Sequence, residues 1–442
     1  MSLTADVPQD ALPLATTIAD AICLQCSCMC DDIGVTVSEN RVTDVRNACS
    51  LGAAWFQQTR ESDRPVCRVR GQAATLAEGL REAARILQVA RYPLIYGFGE
   101  TTCEAQQAAT KIADWMGGTI DTATSFGHAP SIQAFQNVGK TTCTLGEIRN
   151  RSDLVVYWGA DPVANQPRLL SRYTVDPTGL FVPGGRSGRY VVVIDVRPTA
   201  TSERADLFLQ IKPQADFECL WTLRSLARDL VPSADEVLSQ TGIERAVWQS
   251  LMDRMKVANY GALLFGMGLM QTRGYRNNCE ALLQLARDLN RHARFVCRSV
   301  RQRGNVTGAD KVVAWQTGYP FCVNLSRGYP RYNPGEFNTS VQLARGEADA
   351  AMIVGNDPMP DFTSVAREHL RRIPYIALSA NETDITREAT VSFATAKFGL
   401  ETGGTVYRMD EVPLALRPVV KSQYPSDAEV LRQLERLIRE PR

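Results

Sequence analysis

The chain has 442 residues, of which 44% are hydrophobic and 22% are charged, a composition typical of soluble globular proteins. Its 49 Lys and Arg residues nearly balance 48 Asp and Glu residues, so the formal net charge is +1. A chain without a basic surplus has no field that attracts nucleic acid or an anionic membrane, which argues against both as partners. The length is sufficient for two or three domains with cores of their own.

The N-terminal segment MSLTADVPQDALPLATTIADAI has no basic region, and Pro and Asp interrupt its apolar run. We therefore expect no secretory signal there. No stretch of the chain approaches ~18 uninterrupted apolar residues, so we also expect no membrane-spanning helix. Together these features predict a cytosolic, cytoplasmic protein, in which stable disulfides are rare. The 12 cysteines are better candidates for metal binding or for buried packing.

Four cysteines lie close together in ICLQCSCMCDD, and a fifth follows in NACSLG. Cys23, Cys26 and Cys30 have the spacing C-x2-C-x3-C, and Cys49 returns from a separate loop. Four cysteines from two loops are the ligand set of iron–sulfur cubanes, whereas structural zinc prefers two C-x2-4-C knuckles. The spacing favours a [4Fe–4S] cluster, with zinc or no metal as the alternatives. Cys28 lies between these ligands and is predicted not to bind.

After about residue 90, short apolar runs alternate with helical patterns. The runs PLIYGFGE, DLVVYWGADP, YVVVIDVRPT, GALLFGMG, AAMIVGNDP and IPYIALSA lead into Gly, Asn or Asp. This alternation predicts an α/β fold with parallel strands, in which ligands bind at the carboxyl ends of the strands. GFGETT and GMGLMQ lack the third glycine of a dinucleotide fingerprint, so they give weak support to a standard NAD site.

Two of these strand ends share the pattern Gly-x-Asp-Pro, in YWGADP and IVGNDP. The repeat predicts two related α/β units, in which Gly159 with Asp161, and Gly355 with Asp357, offer turns to a phosphate-bearing ligand. The two glycines would then follow neighbouring parallel strands and face one cavity. The alternative is that Gly, Asp and Pro at these strand ends serve only as turn residues.

The Cys-x2-Cys-x3-Cys-Asp-Asp motif and the later Asn-Ala-Cys are followed by TLGEIRNRSDLVVYWGADP, GNVTG, GYPRYNPGE and TVYRM. In type and order, these segments resemble the B-type subunit of formylmethanofuran dehydrogenase, from Cys23 almost to the C-terminus. That family belongs to the molybdopterin oxidoreductases. The resemblance implies formate dehydrogenase-like domains, with Rossmann-like parallel sheets and a small N-terminal Cys-rich iron–sulfur subdomain.

The resemblance also implies cofactors: a [4Fe–4S] cluster on the four cysteines, and a tungsten or molybdenum bis(pterin guanine dinucleotide) between the α/β units. The two Gly-x-Asp-Pro turns would address the two pterin halves. In VIDVRPTATSERAD, Asp195 and Thr199 match the family's segment for the guanine dinucleotide. Gly266 and Gly268 of FGMG match a second turn of the family's pattern.

The domain organisation expected on this basis has four parts. They are an N-terminal Cys-rich subdomain over 1–70, α/β units over 71–215 and 216–375, and a C-terminal segment over 376–442 that returns to the pterin-type cavity. We expect no C-terminal β-barrel of the kind that clamps the pterins in larger molybdopterin enzymes.

The chain departs from the family's pattern in TATSFGHAPS. In the dehydrogenases a Cys-His pair precedes Gly-Pro-Ser, and the cysteine thiolate binds the metal. Aligned on His128, Pro130 and Ser131, the position of that cysteine is Gly127, which has no side chain to ligate a metal. Cys143 is not a substitute, because it lies in CTLGE, where the family commonly has a separate cysteine.

Two residues of the family's active site are present. His128 retains its place in the motif, and Arg301 of VRQRGNVTG matches the active-site arginine. Without the family's pattern, His128 would be interpreted as a loop histidine with satisfied hydrogen bonds and Arg301 as a surface cation. We interpret both as remnants of a catalytic site that has lost its metal ligand.

The missing ligand makes the chain similar to the homologous subunit of the bacterial formyltransferase/hydrolase complex, which runs C1 oxidation through tetrahydromethanopterin and methanofuran-type carriers toward formate. The implied partners are an amidohydrolase-like zinc subunit, a β-helical subunit and a formyltransferase subunit. We predict a redox-inactive member of such a complex. The alternatives are an active tungsten or molybdenum formylmethanofuran dehydrogenase with a non-protein metal ligand, or a nucleotide-binding α/β enzyme with structural zinc.

Overall fold

The computed structural model describes residues 15–58, 64–301, 304–355 and 357–440. Its strands are β1 (Thr16–Ala21), β2 (Ile33–Ser38), β3 (Arg41–Arg46), β4 (Cys67–Val69), β5 (Gln72–Ala74), β6 (Pro93–Gly97), β7 (Thr119–Thr122), β8 (Leu154–Trp158), β9 (Tyr190–Asp195), β10 (Leu207–Gln210), β11 (Tyr260–Phe265), β12 (Arg294–Ser299), β13 (Val323–Asn324), β14 (Arg331–Tyr332), β15 (Ala350–Val354), β16 (Tyr375–Ser379), β17 (Val391–Ala394), β18 (Gly404–Tyr407) and β19 (Pro413–Leu416).

The helices are α1 (Ser50–Phe56), α2 (Leu76–Val89), α3 (Cys103–Met116), α4 (Thr124–Gly127), α5 (Ala129–Val138), α6 (Leu145–Arg151), α7 (Pro162–Asn165), α8 (Pro167–Leu169), α9 (Asp216–Ala227), α10 (Ala234–Thr241), α11 (Arg245–Lys256), α12 (Met267–Met270), α13 (Arg276–Leu289), α14 (Val306–Thr317), α15 (Thr339–Ala344), α16 (Ser364–Arg372), α17 (Asp384–Glu388) and α18 (Asp427–Arg439). No helix in the described ranges is both long and apolar enough to cross a membrane. The α/β class expected from the alternating runs is confirmed.

The smaller of the two parallel sheets has five strands in the order β10-β9-β8-β11-β12, and every pairing is parallel. Alternate residues of β8 face opposite cores. Leu154, Val156 and Trp158 pack with helices α9, α11 and α13, whereas Val155 and Tyr157 pack with the N-terminal Cys-rich segment. A strand buried on both faces reads as a continuous apolar run, which explains the DLVVYW pattern.

The larger sheet has nine strands in the order β14-β13-β7-β6-β15-β16-β17-β4-β5. Its centre, from β7 to β17, is parallel, and antiparallel strands extend it at both ends. One face packs on α2, α3, α14 and α18, and the other on α15 and α16. Each parallel sheet is therefore covered on both faces, as crossover topology requires.

The two sheets are interleaved along the chain, which corrects the predicted unit boundaries at 215 and 375. Strands β9 and β10 precede residue 215 but belong to the sheet of β11 and β12, which follow it. Strand β15 lies before residue 375 but pairs with β6 and with β16. The smaller sheet is thus inserted between strands of the larger one. Long crossover connections hide such pairings, because the local pattern shows where a strand lies and not which strand it joins.

The N-terminal segment forms a separate antiparallel sheet, β1-β2-β3, with the Cys-rich loop between β1 and β2 and helix α1 after β3. The predicted subdomain over 1–70 extends too far, because β4 already pairs with β17 of the larger sheet. Residues 1–14 and 59–63 of that range lie outside the described residues. At the other end, β18 and β19 form a hairpin, and α18 packs on α2 and α3.

Candidate functional site

The carboxyl edges of the two parallel sheets meet at the segment that follows β12. The backbone N–H of Asn305 donates to the carbonyl of Gly99, which follows β6, at 2.6 Å. Gly304 has a φ of +62°, and a Cβ there would lie 2.0 Å from the Gly99 oxygen, so only glycine permits this approach. The GNVTG motif therefore joins the two sheets at the edge where α/β proteins bind ligands.

The two Gly-x-Asp-Pro turns are built alike. Gly159 follows β8 and Gly355 follows β15, and both have a φ of +55°. The N–H of Gly159 donates to Ile194 at 3.0 Å, and that of Gly355 donates to Leu378 at 3.0 Å, in each case on the next parallel strand. The repeat therefore marks equivalent positions. The prediction that the two glycines follow neighbouring strands is wrong, because each belongs to a different sheet.

Packing of turn on turn accounts for these glycines. A Cβ on Gly159 would lie 2.5 Å from the backbone nitrogen of Leu269, and one on Gly355 would lie 2.8 Å from the carbonyl oxygen of Glu100. Gly266 and Gly268 pack against Gly159 in the same way, at 2.5 and 2.8 Å. Glycine is thus required at these positions because backbone atoms of a neighbouring turn lie against them, and not because the glycines line an open ligand-binding pocket.

The polar residues of these turns have local partners. Asp161 Oδ1 accepts hydrogen bonds from the backbone and hydroxyl of Thr201, at 3.1 and 2.6 Å. The remaining three act within their own turns: Asp357 accepts from Met359 N, Asp195 from Val196 N, and the Thr199 hydroxyl from Ser202 N. These contacts are turn chemistry of the kind that strand ends need. The pterin-binding roles of these residues stay predictions.

Gly127 ends helix α4, directly after β7 of the larger sheet, and it is buried. A Cβ built on it would lie 3.0 Å from Cε and 3.6 Å from Sδ of Met267. Met267 begins α12, after β11 of the smaller sheet. The end of the Met267 side chain therefore lies against the position in which a side chain at 127 would begin. The residues present do not fit a metal bound through a protein thiolate at this position.

His128 is buried with 7% of its surface exposed, and neither ring nitrogen has a hydrogen-bond partner among the described residues. Burial, together with the positive charge of Arg301, lowers the pKa of His128 to about 3, so the imidazole is neutral near pH 7. This arrangement differs from a satisfied loop histidine. A buried polar ring without partners indicates a place for water or a small polar ligand.

Arg301 is also buried rather than on the surface, with 5% exposed. Its guanidinium lies 2.6 Å from Oδ2 of Asp310, and it donates to the Thr307 hydroxyl at 3.4 Å. The Arg301 carbonyl accepts from Gln166 of the smaller sheet's first turn at 3.1 Å. The arginine is thus held in one orientation at the junction of the two sheets.

A cavity of about 300 Å³ opens beside Arg301 and Asp310, lined also by Lys140, Lys311 and Glu411. Glu411 lies 3.3 Å from Lys140 and 2.6 Å from Lys311. Burial raises the pKa of Glu411, but the two lysines outweigh that effect and lower it to about 2. The cavity wall therefore carries three cationic side chains and two carboxylates, next to apolar residues such as Phe135, Phe265 and Met409.

The four predicted cysteine ligands line one cavity together with Arg168. The N–H of Cys23 donates to the carbonyl of Cys30 at 3.0 Å, which closes the loop that also carries Cys26. Cys49 comes from the start of α1, and the missing Cβ of Gly52 would lie 3.0 Å from Cys23 Sγ and 3.8 Å from Cys49 Sγ. The two loops therefore lie side by side, and the metal-binding role of their cysteines stays a prediction.

The electrostatics of this cavity fit a sulfur-ligated cationic group. Burial raises the pKa of Cys30 to about 11 despite Arg168, and burial with the neighbouring thiols raises that of Cys23 further. Cys26 differs, because its hydrogen bond with Cys28 lowers its pKa despite burial. Four thiolates are the donor set of iron–sulfur groups. Among the described residues, no group of three or more His, Cys, Asp or Glu side chains is arranged to hold a single metal ion.

The cysteine loop is fastened to the smaller sheet by ion pairs. Asp32 contacts Arg168 at 2.7 Å and Arg172 at 3.3 Å, and Asp31 contacts Arg172 at 2.6 Å. Burial raises the pKa of Asp32, but its bonds to the two arginines lower it overall. The Asp-Asp pair that follows Cys30 in the sequence motif is thus an anchor.

Sequence reasoning missed two contacts around Gly127 and His128. One is Met267, which was noticed only through its flanking glycines. The other is Asp121 at the end of β7, whose carboxylate accepts from Ser125 of α4, from the backbone of Cys322 and from Thr339 of α15. An Asp at the end of a strand is usually interpreted as a turn residue, so the sequence did not indicate that Asp121 has partners in distant segments.

No protein-family model matches the chain. The B-type subunit of tungsten-containing formylmethanofuran dehydrogenase 2 from Methanocaldococcus jannaschii is 36% identical over 437 residues, covering 97% of this chain and 100% of the relative. The same subunit from Methanococcus maripaludis is 37% identical over 94% of this chain and 97% of the relative. The chain belongs to the family of formylmethanofuran dehydrogenase B-type subunits. The resemblance inferred from the sequence motifs is confirmed.

The fold is shared with two solved structures. The formyltransferase/hydrolase complex of Methylorubrum extorquens, solved with methylofuran, matches with a TM-score of 0.65 at 21% identity, over 84% of this chain and 98% of that chain. Acetylene hydratase of Pelobacter acetylenicus matches with a TM-score of 0.70 at 11% identity, over 95% of this chain and 69% of that one.

Proposed function

We propose that the chain is the B-type subunit of a formyltransferase/hydrolase-type complex and performs no redox reaction itself. The observation that carries the proposal is the pair Gly127 and Met267. Gly127 supplies no ligand atom, and the end of the Met267 side chain lies against it. Neighbouring groups such as His128 orient or tune a metal's direct ligands rather than replace them. The site therefore lacks the residue on which the family's metal chemistry depends.

In the proposed complex, a formyltransferase subunit passes the formyl group from the pterin carrier to a methanofuran-type amine, and an amidohydrolase-like zinc subunit hydrolyses it to formate. Hydrolysis by metal-activated water needs no electron acceptor, so the complex requires no redox centre in this chain. The similarity to the Methylorubrum extorquens complex over 98% of that chain supports this role. A β-helical partner subunit and a cytosolic location belong to the same proposal.

We also propose a [4Fe–4S] cluster on Cys23, Cys26, Cys30 and Cys49, since the four thiols line one buried cavity. A cluster there would serve as a structural centre, because metal binding couples to the folding of small Cys-rich segments. In anaerobically purified protein, Cys49→Ser should lose iron and the broad absorbance near ~400 nm. Cys28→Ser is the matched control and should keep both. Unchanged iron in Cys49→Ser would refute its assignment.

A second candidate function is favoured by the relatives. Both archaeal proteins that match over almost the whole chain are named as tungsten-containing. In an active tungsten or molybdenum enzyme, oxide, sulfide or hydroxide would occupy the position that a protein thiolate leaves open. This alternative comes second because it needs a metal ligand from outside the protein in place of the side chain that Gly127 lacks.

The deciding experiment uses the purified complex with its partner subunits. Metal analysis should find neither tungsten nor molybdenum in this chain, and no formate-dependent or formyl-dependent reduction of a viologen dye should be detected. Formate should nevertheless be released from the formylated carrier. Dye reduction at enzyme-like rates that scales with bound tungsten or molybdenum would overturn the proposal in favour of the second candidate.

A further inference from the structure

The backbone at Gly127 does not itself require glycine. Its φ lies outside the left-handed region, unlike that of Gly159 or Gly355, so the chain conformation accepts a side chain there. The one neighbour that a Cβ would meet within 4 Å is the end of the Met267 side chain. Outside its own helix, a side chain at position 127 would therefore press on the flexible end of Met267, which would have to shift by a few tenths of an ångström.

The backbone of Met267 is held in place on both sides. The N–H of Gly266 donates to Trp158 at 3.0 Å, and that of Gly268 donates to Gly159 at 2.9 Å. Neither glycine has a side chain, so Met267 supplies the side chain of this turn. Because the turn is hydrogen-bonded to the end of β8, the Met267 backbone is fixed and only its flexible side chain can change conformation. Methionine fills irregular gaps well for that reason.

We infer that Met267 closes the place from which the family's metal-binding thiolate projects, and that Gly127 and Met267 form an interlocking contact between the two sheets. The inference rests on the proposed function. It adds to that proposal the residue whose side chain lies next to Gly127, the position of the missing ligand. The contact links the end of β7 to the end of β11, and Met267 is half-buried against the core of the smaller sheet.

The test is a double-mutant cycle on the full-length chain within its complex. Met267→Ala removes the half-buried side chain that packs beside Gly127, and Gly127→Cys crowds the methionine, so each single change should lower the denaturation midpoint. In the double variant the new thiol fills the space left by the methionine. It should therefore be more stable than the sum of the single effects predicts. Gly127→Ala, a smaller change, provides the same comparison if Gly127→Cys fails to fold.

Met270 provides a control in the same helix, because it is buried in the core of the smaller sheet, against which Met267 is half-buried, and it is not among the residues that a Cβ on Gly127 would meet. Met270→Ala should be additive with Gly127→Cys. Amide exchange gives a local readout: Met267→Ala should speed exchange in both α4 and α12, whereas Met270→Ala should affect α12 alone. Additive behaviour of Met267→Ala with Gly127→Cys, or no change at α4, would overturn the inference.

Metal content separates this inference from the proposed function. Tungsten or molybdenum that is bound in the wild type and lost in Met267→Ala would make the thioether a ligand, which overturns the closing role. Bound metal with the stability coupling intact would overturn the proposed function and leave the interlocking contact standing. If no metal is bound and the effects of Met267→Ala and Gly127→Cys are additive, the inference is overturned and the proposed function stands.

Discussion

At the scale of single residues, His128 is the clearest case in which burial sets chemistry. Its pKa is about 3 in the folded protein, because burial and Arg301 disfavour the imidazolium, against an ordinary value of 6.5. The ring is therefore a neutral hydrogen-bonding group at physiological pH. It is suited to contacting a small solute and unsuited to acting as a cation, whichever of the two candidate functions holds.

This depressed pKa predicts a specific dependence of stability on pH. Between pH 6.5 and 3, His128 is protonated in the unfolded chain but not in the folded chain. The stabilisation is therefore fully present above pH 6.5 and is lost as the pH falls toward 3, by about 3 to 5 kcal/mol over the window. In His128→Gln, that part of the slope should vanish. Denaturant titrations from pH 8 to 4 measure it.

The comparison of slopes isolates His128 from the carboxylates, which titrate in both proteins. If His128→Gln keeps the wild-type slope between pH 6.5 and 4.5, then the imidazole is protonated in the folded state. In that case the burial of His128 beside Arg301 would not hold the ring neutral.

At the scale of secondary-structure elements, Asp121 fixes the short helix that carries Gly127 and His128. Besides Ser125, Cys322 and Thr339, its carboxylate accepts from the backbone of Thr122 at 2.9 Å. Three elements, β7, α4 and α15, and the loop before β13 thus converge on one buried carboxylate. Buried polar groups of this kind are costly to leave without partners.

Asp121→Ala should destabilise the protein by about 3 kcal/mol or more, because several buried donors lose their acceptor. Asp349 is a matched control at the opposite, amino-terminal edge of the same sheet. It accepts from the backbone of Arg91 and Tyr92 at 2.8 and 2.9 Å, where solvent can replace it. Asp349→Ala should cost about 1 kcal/mol. Equal losses in a denaturant titration would contradict the central role of Asp121.

Elements were predictable from sequence where a local pattern decides them. The apolar runs at β6, β8, β9, β11, β15 and β16 were recognisable because strands buried on both faces leave an uninterrupted signal. The equivalence of Gly159 and Gly355 was visible as well, because a left-handed turn that packs on another turn requires glycine. Pairing between sheets was not visible, since nothing local distinguishes β8 from β15.

The same division holds for the candidate site. The spacing predicted that the two cysteine loops share a site, and the motif predicted the departure at Gly127; the ligand roles of the cysteines stay predictions. Met267 could not be assigned a role, because the contact joins ends of two sheets that are 140 positions apart in sequence and meet only in the folded chain. A methionine between two glycines looks like part of a turn until its partner is known.

At the scale of the whole molecule, the two sheets are held together by the GNVTG motif. Asn305 is fully buried, and its Nδ2 donates to the carbonyl of Thr101 at 3.0 Å while its Oδ1 accepts from the N–H of Tyr407 at 2.8 Å. With its backbone bond to Gly99, one residue joins the end of the smaller sheet, the first turn of the larger sheet and the C-terminal hairpin. The three parts therefore depend on a shared contact.

Asn305→Ala should cost about 2 to 4 kcal/mol, because the Tyr407 N–H and the Thr101 carbonyl are left buried without partners. Amide exchange should rise together in β18 and in the turn after β6, although these lie far apart in sequence. Asn338→Ala is the control: Asn338 caps α15 through Val341 N, so its loss should cost about 1 kcal/mol and act on that helix alone. Exchange that rises only next to position 305 would show that the sheets are joined by other contacts.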